Sequence, residues 1–190
     1  MELNTLKIGN MCCSRCITAV TLVLNELGIK YKKVELGCAV IYTSKNIKET
    51  ELESAFKKSG FRLIKSKEEE ISEKVKTSIH HLFADFETID FGNFNLIEYL
   101  ELQVQIPYKT LSDFFSKQNK KTIEHYFIRY KIEKVKSMIS DSGYSFSEIA
   151  FKLGYHSLSH LSKQFKACEG VSMSSYKLKP NNRRNFIDKI

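Results

Sequence analysis

The sequence predicts an α+β protein in which a small β-α-β-β-α-β unit precedes an all-helical region. Apolar residues in the first 66 positions alternate between strand-like and helix-like spacing, whereas after residue 67 they recur every three or four positions. The chain has 190 residues, of which 42% are hydrophobic. That length and composition suffice for two small units with their own cores.

The first unit is predicted to span residues 1–66. Its elements are, in order, a strand at 3–8, a helix at 17–27, strands at 31–36 and 39–43 that turn at Gly37 and Cys38, a helix at 50–58 and a strand at 61–65. Gly28 and Gly60 end the two helices. This order of elements is the ferredoxin-like arrangement.

Residues 67–94 are predicted to be an acidic helical connector, with a helix from residue 67 and a loop at 85–95. The region 95–178 is predicted to be entirely helical, and the longest helix spans 122–139. Ser145 and Glu148 form a capping-box pattern before a short helix that ends at Gly154. Ser157 then caps a helix that ends near Gly170, with Leu158, Leu161 and Phe165 facing inward.

The charge of the chain is unevenly distributed. Residues 1–66 carry 11 basic and 6 acidic groups, residues 67–104 carry 3 and 9, and residues 105–190 carry 16 and 7. The net charge of +8 therefore comes mainly from the C-terminal region, which includes a basic tail at 179–190. Such a block favours a polyanionic partner. The sequence contains no apolar run of about 18 residues and no signal-peptide pattern, so we expect a cytoplasmic protein without a membrane partner.

Three of the five cysteines lie in the segment Met11-Cys12-Cys13-Ser14-Arg15-Cys16, between the first strand and the first helix. An odd count and the absence of an export signal argue against a disulfide framework. Two thiolates three residues apart before a helix can bind one soft cation, Cu(I) in preference to Zn(II). Arg15 and the helix N-terminus also favour the thiolate form, which suits either metal binding or redox chemistry.

On these residues, the region 1–66 resembles the heavy-metal-associated domain of copper chaperones and metal-transporting ATPases. The resemblance implies that Cys13 and Cys16 bind the metal, that Met11 supports the loop from the interior, and that the Gly60-Phe61 loop approaches the metal. Cys12 departs from the usual pattern and is a competing ligand. Cys38 is either a further ligand or an ordinary half-buried thiol. A thiol-disulfide switch and a fold without ligand remain alternatives for the pair.

The helix, glycine turn and helix at 149–165 have the spacing of a helix-turn-helix, whose second helix enters the major groove of DNA. Polar residues on the second helix suit base edges, and its lysines suit phosphates or guanine. The predicted contacts are Ser157, Ser159, His160, Lys163, Gln164 and Lys166. His156 and His160 are four residues apart, but we find no third ligand for a zinc site, so His160 is assigned to the DNA-facing surface.

Residues 95–177 resemble the DNA-binding module of AraC/XylS-type transcription regulators, which contains two helix-turn-helix units. The matching elements are Ile149-Ala150, Leu153-Gly154-Tyr155, Leu161, Phe165, Gly170 and Tyr176. Met173 replaces the usual proline. The first unit departs further, because Gln105-Ile106-Pro107 and Lys120 stand where glycine is common and Asp113 stands where a base-reading donor is common. Its predicted contacts are Tyr108, Lys109 and Ser112.

Together these features predict an AraC-type regulator of transcription that binds operator DNA and carries a thiophilic-metal site. A copper chaperone or metal-buffering protein with a helical interaction domain is one alternative, and a thiol-oxidation sensor is another. No phosphate loop, catalytic triad or paired-carboxylate site is apparent, and neither resemblance implies an enzyme. The protein is either a monomer or a homodimer, with residues 67–94 as a candidate dimerisation segment.

Overall fold

A computed structural model describes residues 2–42, 48–141 and 143–178 of the chain. Its N-terminal elements are β1 (Leu3–Gly9), α1 (Ser14–Glu26), β2 (Tyr31–Glu35), β3 (Cys38–Tyr42), α2 (Glu49–Lys58) and β4 (Arg62–Leu63). Its helical elements are α3 (Lys67–Ala84), α4 (Leu96–Val104), α5 (Tyr108–Asn119), α6 (Ile123–Asp141), α7 (Phe146–Lys152), α8 (Leu158–Glu169) and α9 (Met173–Lys177). The end of the third predicted strand and the basic tail at 179–190 lie outside the described residues.

The first six elements form a small antiparallel sheet covered by two helices, and the chain as a whole is mixed α and β. The strand order is β2-β3-β1-β4, and β1 pairs antiparallel with both of its neighbours. Because side chains alternate along a strand, Leu6 and Ile8 of β1 face the helices while Thr5 and Lys7 face the opposite side. The core under the helices contains Ile8, Met11, Val20, Leu24, Ala39, Phe56 and Phe61.

Two predictions about the sheet are corrected by the structure. The last strand is Arg62–Leu63 rather than 61–65, because it pairs only with Ile8 and Gly9 at the end of β1. Cys38 begins β3, opposite Lys7, instead of lying in the turn.

The acidic segment at 67–94 shares one hydrophobic core with the helices that follow it. Ile71, Val75, Ile79, Leu82 and Phe83 of α3 pack into the same buried cluster as residues of α4 to α9. Two hydrogen bonds add to this packing, from Asn119 Nδ2 of α5 to Ser72 Oγ (2.7 Å) and from Tyr99 OH of α4 to the Ser78 carbonyl (2.8 Å). The helix α3 is therefore an integral part of the helical region.

The loop after α3 is also tied to the helical core. It contains a 3-10 turn at Phe86–Thr88, and Phe86 and Phe91 are buried. At Gly154, whose φ is +67°, an added Cβ would lie only 2.0 Å from the Phe91 carbonyl oxygen. Glycine is therefore required there by both the backbone conformation and the space.

No helix among the described residues is long and apolar enough to cross a membrane.

Candidate nucleic-acid interface and thiol site

The C-terminal helix-turn-helix consists of α7, a turn at Gly154 and α8. The predicted capping box is confirmed, since Ser145 Oγ accepts from the Glu148 N–H and the Glu148 carboxylate accepts from the Ser145 N–H. Ser157 caps α8 by accepting from the His160 N–H at 3.2 Å. These side chains fix where both helices begin, and therefore where α8 presents its first turn.

The outer face of α8 carries most of the predicted DNA contacts. Those that are exposed to solvent are Ser157, Ser159, His160, Lys163 and Lys166. Gln164 is half-buried instead, because its Oε1 accepts a 2.6 Å hydrogen bond from the Tyr155 hydroxyl. Leu158 was predicted to face the core, but it is 37% exposed. As the first residue of α8, it projects beyond the core that Leu161 and Phe165 fill.

The C-terminal end of α8 is held by a buried ionic cluster. Lys136 of α6 is 1% exposed, and its Nζ lies 2.7 Å from Glu133 and 3.2 Å from Glu169 of α8. Arg129 donates to the Cys168 carbonyl at 3.0 Å and contacts Glu169 at 3.4 Å. Burial alone would lower the pKa of Lys136, but the two carboxylates outweigh it and hold that pKa above its ordinary value. The cluster fixes α8 relative to the long helix.

The first helix-turn-helix consists of α4 and α5, and its predicted contacts have different environments. Lys109 is exposed, whereas Ser112 and Tyr108 are half-buried. The Tyr108 hydroxyl donates to the Glu124 carboxylate, and burial together with this carboxylate raises the pKa of Tyr108. The hydroxyl of Tyr108 thus joins α5 to α6. Asp113 is exposed on α5.

The turns of this first unit use the left-handed conformation without glycine. Gln105 has a φ of 59° at the end of α4, and Lys120 has a φ of 54° at the end of α5. At both positions the sequence departs from the glycine that the resemblance implies. Both residues adopt the left-handed conformation although a Cβ makes it costly.

The three clustered cysteines converge at the N-terminus of α1. The Sγ atoms of Cys13 and Cys16 are 3.8 Å apart, those of Cys12 and Cys16 are 4.0 Å apart, and all three lie within 4.8 Å of one another. All three side chains are half-buried, and Met11 is buried in the core beneath them. Cys38 is not part of this group and lines a cleft between the sheet and α3.

The environments of the three thiols differ. Backbone N–H groups of Cys16 and Arg15 lower the pKa of Cys13. Burial raises the pKa of Cys12 to about 12, with further contributions from the charges on Cys16 and Cys13. Cys13 therefore ionises more readily than Cys12.

A carboxylate of α3 joins the cysteine loop to the helical region. Glu73 Oε2 accepts from the Asn10 N–H at 2.8 Å, and Oε1 lies 2.6 Å from Arg62 and 3.1 Å from Lys76. Asn10, at a φ of 68°, also donates from its side chain to the Gly60 carbonyl at 3.0 Å. The Gly60-Phe61 loop, Asn10 and Glu73 thus form one hydrogen-bonded unit beside the thiols.

A small cavity of about 50 Å³ separates the cysteine loop from the helices. Cys12 and Met11 line it on one side, and His80 of α3 and Tyr130 of α6 line it on the other. His80 is half-buried there, with its ring packed edge-on against Tyr130. His81, its neighbour on α3, is exposed.

The sequence did not indicate the roles of Glu73, Asn10 and Ser72. Glu73 belongs to an acidic stretch that is typical of a solvated helix face, and two of its partners, Arg62 and Asn10, lie 11 and 63 residues away. The one available signal was Asn10, because asparagine is enriched among non-glycine residues with positive φ. Long-range partners of this kind cannot be derived from local spacing.

Residues 102–179 match the protein family described as "Helix-turn-helix domain". No curated protein sequence matches the chain. A solved structure of a DNA-binding transcriptional dual regulator from Escherichia coli K-12 is 15% identical, covers 56% of this chain and 88% of its own, and has a TM-score of 0.46. The DNA-binding domain of AdpA, described as a global transcriptional factor in complex with a target DNA, is 20% identical, with coverages of 53% and 89% and a TM-score of 0.43. Residues 102–179, which include α5 to α9, therefore match a helix-turn-helix family over less than half of the chain.

Proposed function

We propose that the protein is a sequence-specific regulator that inserts α8 into the major groove of operator DNA and responds to a thiophilic metal ion. The observation that carries the DNA-binding part is the match of residues 102–179 to a helix-turn-helix family. The exposed row of polar and basic side chains on α8 supports it. Lys163 and Lys166 suit phosphates or guanine, while Ser159 and His160 lie near the start of the helix, where base edges are read.

The N-terminal part is proposed to be a ferredoxin-like, heavy-metal-associated domain with Cu(I) as its ion. The element order and the strand order β2-β3-β1-β4 support that assignment. The donor chemistry also fits, because thiolates favour soft ions and the sulfur atoms of Cys13 and Cys16 are close enough to share one. Bound there, the ion would replace the protons of the two thiols and would supply a cross-link within the loop.

The connection between ion and DNA is proposed to run through α3. Glu73 holds the backbone of Asn10, which precedes the cysteine loop, and its neighbour Ser72 accepts from Asn119 at the end of α5. A change in the loop is therefore transmitted to adjacent residues of a helix that supports the first helix-turn-helix. The acidic groups Glu70 and Glu73 contact Lys7 and Arg62 of the sheet, so these charges of the acidic connector face the N-terminal unit.

Selection of bound DNA from a random pool, with and without Cu(I), tests both parts of the proposal. We expect an enriched sequence in at least one condition and a change of affinity for that sequence when Cu(I) is added. Failure to enrich any sequence would refute the operator-binding function and favour a chaperone or buffering role. An enriched sequence with the same affinity at all Cu(I) concentrations would refute the metal response alone.

A thiol-oxidation sensor is the second candidate, and the low pKa of Cys13 next to Cys16 specifically favours it. In this function a two-electron oxidant converts the two thiols to a disulfide and releases two protons. The two functions are separated by oxidising the metal-free protein with diamide and measuring operator affinity. A changed affinity that dithiothreitol reverses supports the sensor, and an unchanged affinity excludes it.

A further inference from the structure

We propose that the soft ion is held by three thiolates, with Cys12 as a full ligand beside Cys13 and Cys16, so that the site takes ions that favour trigonal sulfur coordination. The inference deepens the metal response proposed above and depends on its metal site. The two-cysteine motif alone indicates only Cys13 and Cys16. The arrangement of sulfur atoms in the structure is what adds Cys12.

The distances match a three-sulfur site without rearrangement of the backbone. With a metal–sulfur bond of about 2.3 Å, sulfur atoms around a planar trigonal ion lie about 4.0 Å apart. The Cys12–Cys16 and Cys13–Cys16 separations are 4.0 and 3.8 Å, and the third pair lies within 4.8 Å. Closing the third pair by less than 1 Å is within the range of a side-chain rotation.

The number of ligands distinguishes this site from a structural zinc site. Structural zinc requires four protein ligands in a tetrahedron. Among residues 2–42, 48–141 and 143–178, no histidine, carboxylate or further cysteine joins the group of three. Three soft donors without a fourth favour an ion that is stable with three sulfur ligands, such as Cu(I) or As(III), over Zn(II).

Cys12 also connects this site to the rest of the molecule. Its side chain lines the cavity shared with His80 and Tyr130, whereas Cys13, the N-cap residue of α1, does not line that cavity. An ion that binds Cys12 therefore fixes the side of the loop that faces α3 and α6. A two-cysteine site would leave that side unchanged.

Binding of As(III) releases water, and binding of Cu(I) releases protons. Arsenious acid, As(OH)₃, forms three As–S bonds with three thiols, and each hydroxide leaves as water with one thiol proton. Cu(I) delivered from a weak complex displaces the thiol protons to solvent. Neither reaction changes the oxidation state of the ion or of sulfur.

The test compares the full chain with Cys12→Ser and with Cys38→Ser, which removes a half-buried cysteine outside the group and serves as the matched control. Arsenite and Cu(I) are titrated separately, with the sulfur-to-ion charge-transfer absorption as readout, and the number of sulfur neighbours is measured by X-ray absorption. We expect three sulfur neighbours in the wild type and in Cys38→Ser. In Cys12→Ser we expect two sulfur neighbours, with arsenite affinity lower by about 10-fold or more.

Two sulfur neighbours in the wild type, or equal affinity of Cys12→Ser and wild type for both ions, would overturn the three-thiolate site. Neither ion bound by the wild type would overturn the metal site itself. Operator binding by metal-free Cys12→Ser, which contains an intact α8, reports independently whether the DNA-binding function holds.

Discussion

At the scale of single residues, a substitution of Lys163 is the most direct test of whether α8 is the recognition helix. It is exposed on the outer face of α8, and the core contacts of the helix are made by Leu161 and Phe165. We expect Lys163→Ala to weaken operator binding and, if the lysine neutralises a phosphate, to reduce the slope of log affinity against log salt by about 1. Fluorescence anisotropy at several salt concentrations measures both.

The control for Lys163→Ala is Lys58→Ala, which removes the same charge from an exposed position at the end of α2. It should leave the salt slope almost unchanged. Equal effects of the two variants would mean that only the net charge matters and that α8 is not the recognition helix.

Lys120 provides a residue-scale prediction about stability. Its φ of 54° places a Cβ in the left-handed region, where glycine is favoured. We expect Lys120→Gly to raise the free energy of unfolding by about 0.5–1 kcal/mol, because relief of that strain exceeds the added freedom of the unfolded chain. Urea unfolding followed by circular dichroism measures the change.

Lys117→Gly is the matched comparison for this variant, since Lys117 lies inside the last turn of the same helix. It should lower stability by up to about 1 kcal/mol. If both variants destabilise the protein, the strain assigned to Lys120 is absent.

At the scale of elements, the attachment of α8 to α6 depends on the buried cluster around Lys136. Replacing Lys136 with Met keeps the volume but leaves Glu133 facing Glu169 with Arg129 as the remaining cation near them. We expect a loss of about 3 kcal/mol of unfolding free energy, because breaking a buried pair leaves a carboxylate uncompensated. Chemical unfolding monitored by far-ultraviolet circular dichroism tests this.

The comparison variant is Lys33→Met, which breaks the exposed pair between Lys33 and Glu35 on β2. An exposed pair contributes little to stability, so this variant should keep nearly all of the unfolding free energy. Similar losses for the two variants would show that the cluster does not stabilise the helical region.

The limits of an element could be predicted from the sequence where the residues that set them are close together in the chain. The limits of α7 and α8 were predicted because Ser145, Glu148 and Ser157 act within three residues of their hydrogen-bond partners. β4 was predicted too long because its length depends on how far β1 extends beside it, which its own residues do not encode. The shared core of α3 and α5 was not predicted for the same reason, although the apolar face of α3 was.

The site was predictable to a similar extent. The cysteine loop carries a motif with defined spacing, so Cys13 and Cys16 were identified from the sequence and lie together in the structure. The helical position of Gln164 predicted an exposed side chain. In the structure Gln164 is half-buried, because it accepts a hydrogen bond from the Tyr155 hydroxyl. Such a contact depends on how the turn at Gly154 places the tyrosine, which a helical projection does not contain.

At the scale of the whole molecule, Glu73 makes the contact between the two regions sensitive to pH. Burial disfavours its charge, but Lys76, Arg62 and the Asn10 N–H outweigh it and lower its pKa below the ordinary value of 4.5. The pKa of Glu73 is therefore lower in the folded protein than in the unfolded chain. Its contribution to stability is present above about pH 4.5 and is lost as the pH falls through the folded pKa.

We expect Glu73→Gln to reduce this loss of stability at acid pH and to weaken the effect of Cu(I) on operator affinity. Hydrogen exchange at the Asn10 amide measures the contact directly, and it should be faster in the variant at neutral pH. Glu68→Gln, on the first turn of the same helix, is the control. An unchanged exchange rate in Glu73→Gln would refute the proposed connection.

The common core of α3 and the later helices also determines where the protein can be divided. A fragment that begins at residue 95 would lack α3 and expose the apolar surface of α5, together with Asn119 deprived of Ser72. A fragment that begins at Ser66 would keep α3 and its N-cap, since Ser66 Oγ accepts from the Glu69 N–H at 3.1 Å. The chain is therefore best divided at residues 64–66, and any other N-terminal unit joined there would have to offer Glu73 a cation in place of Arg62.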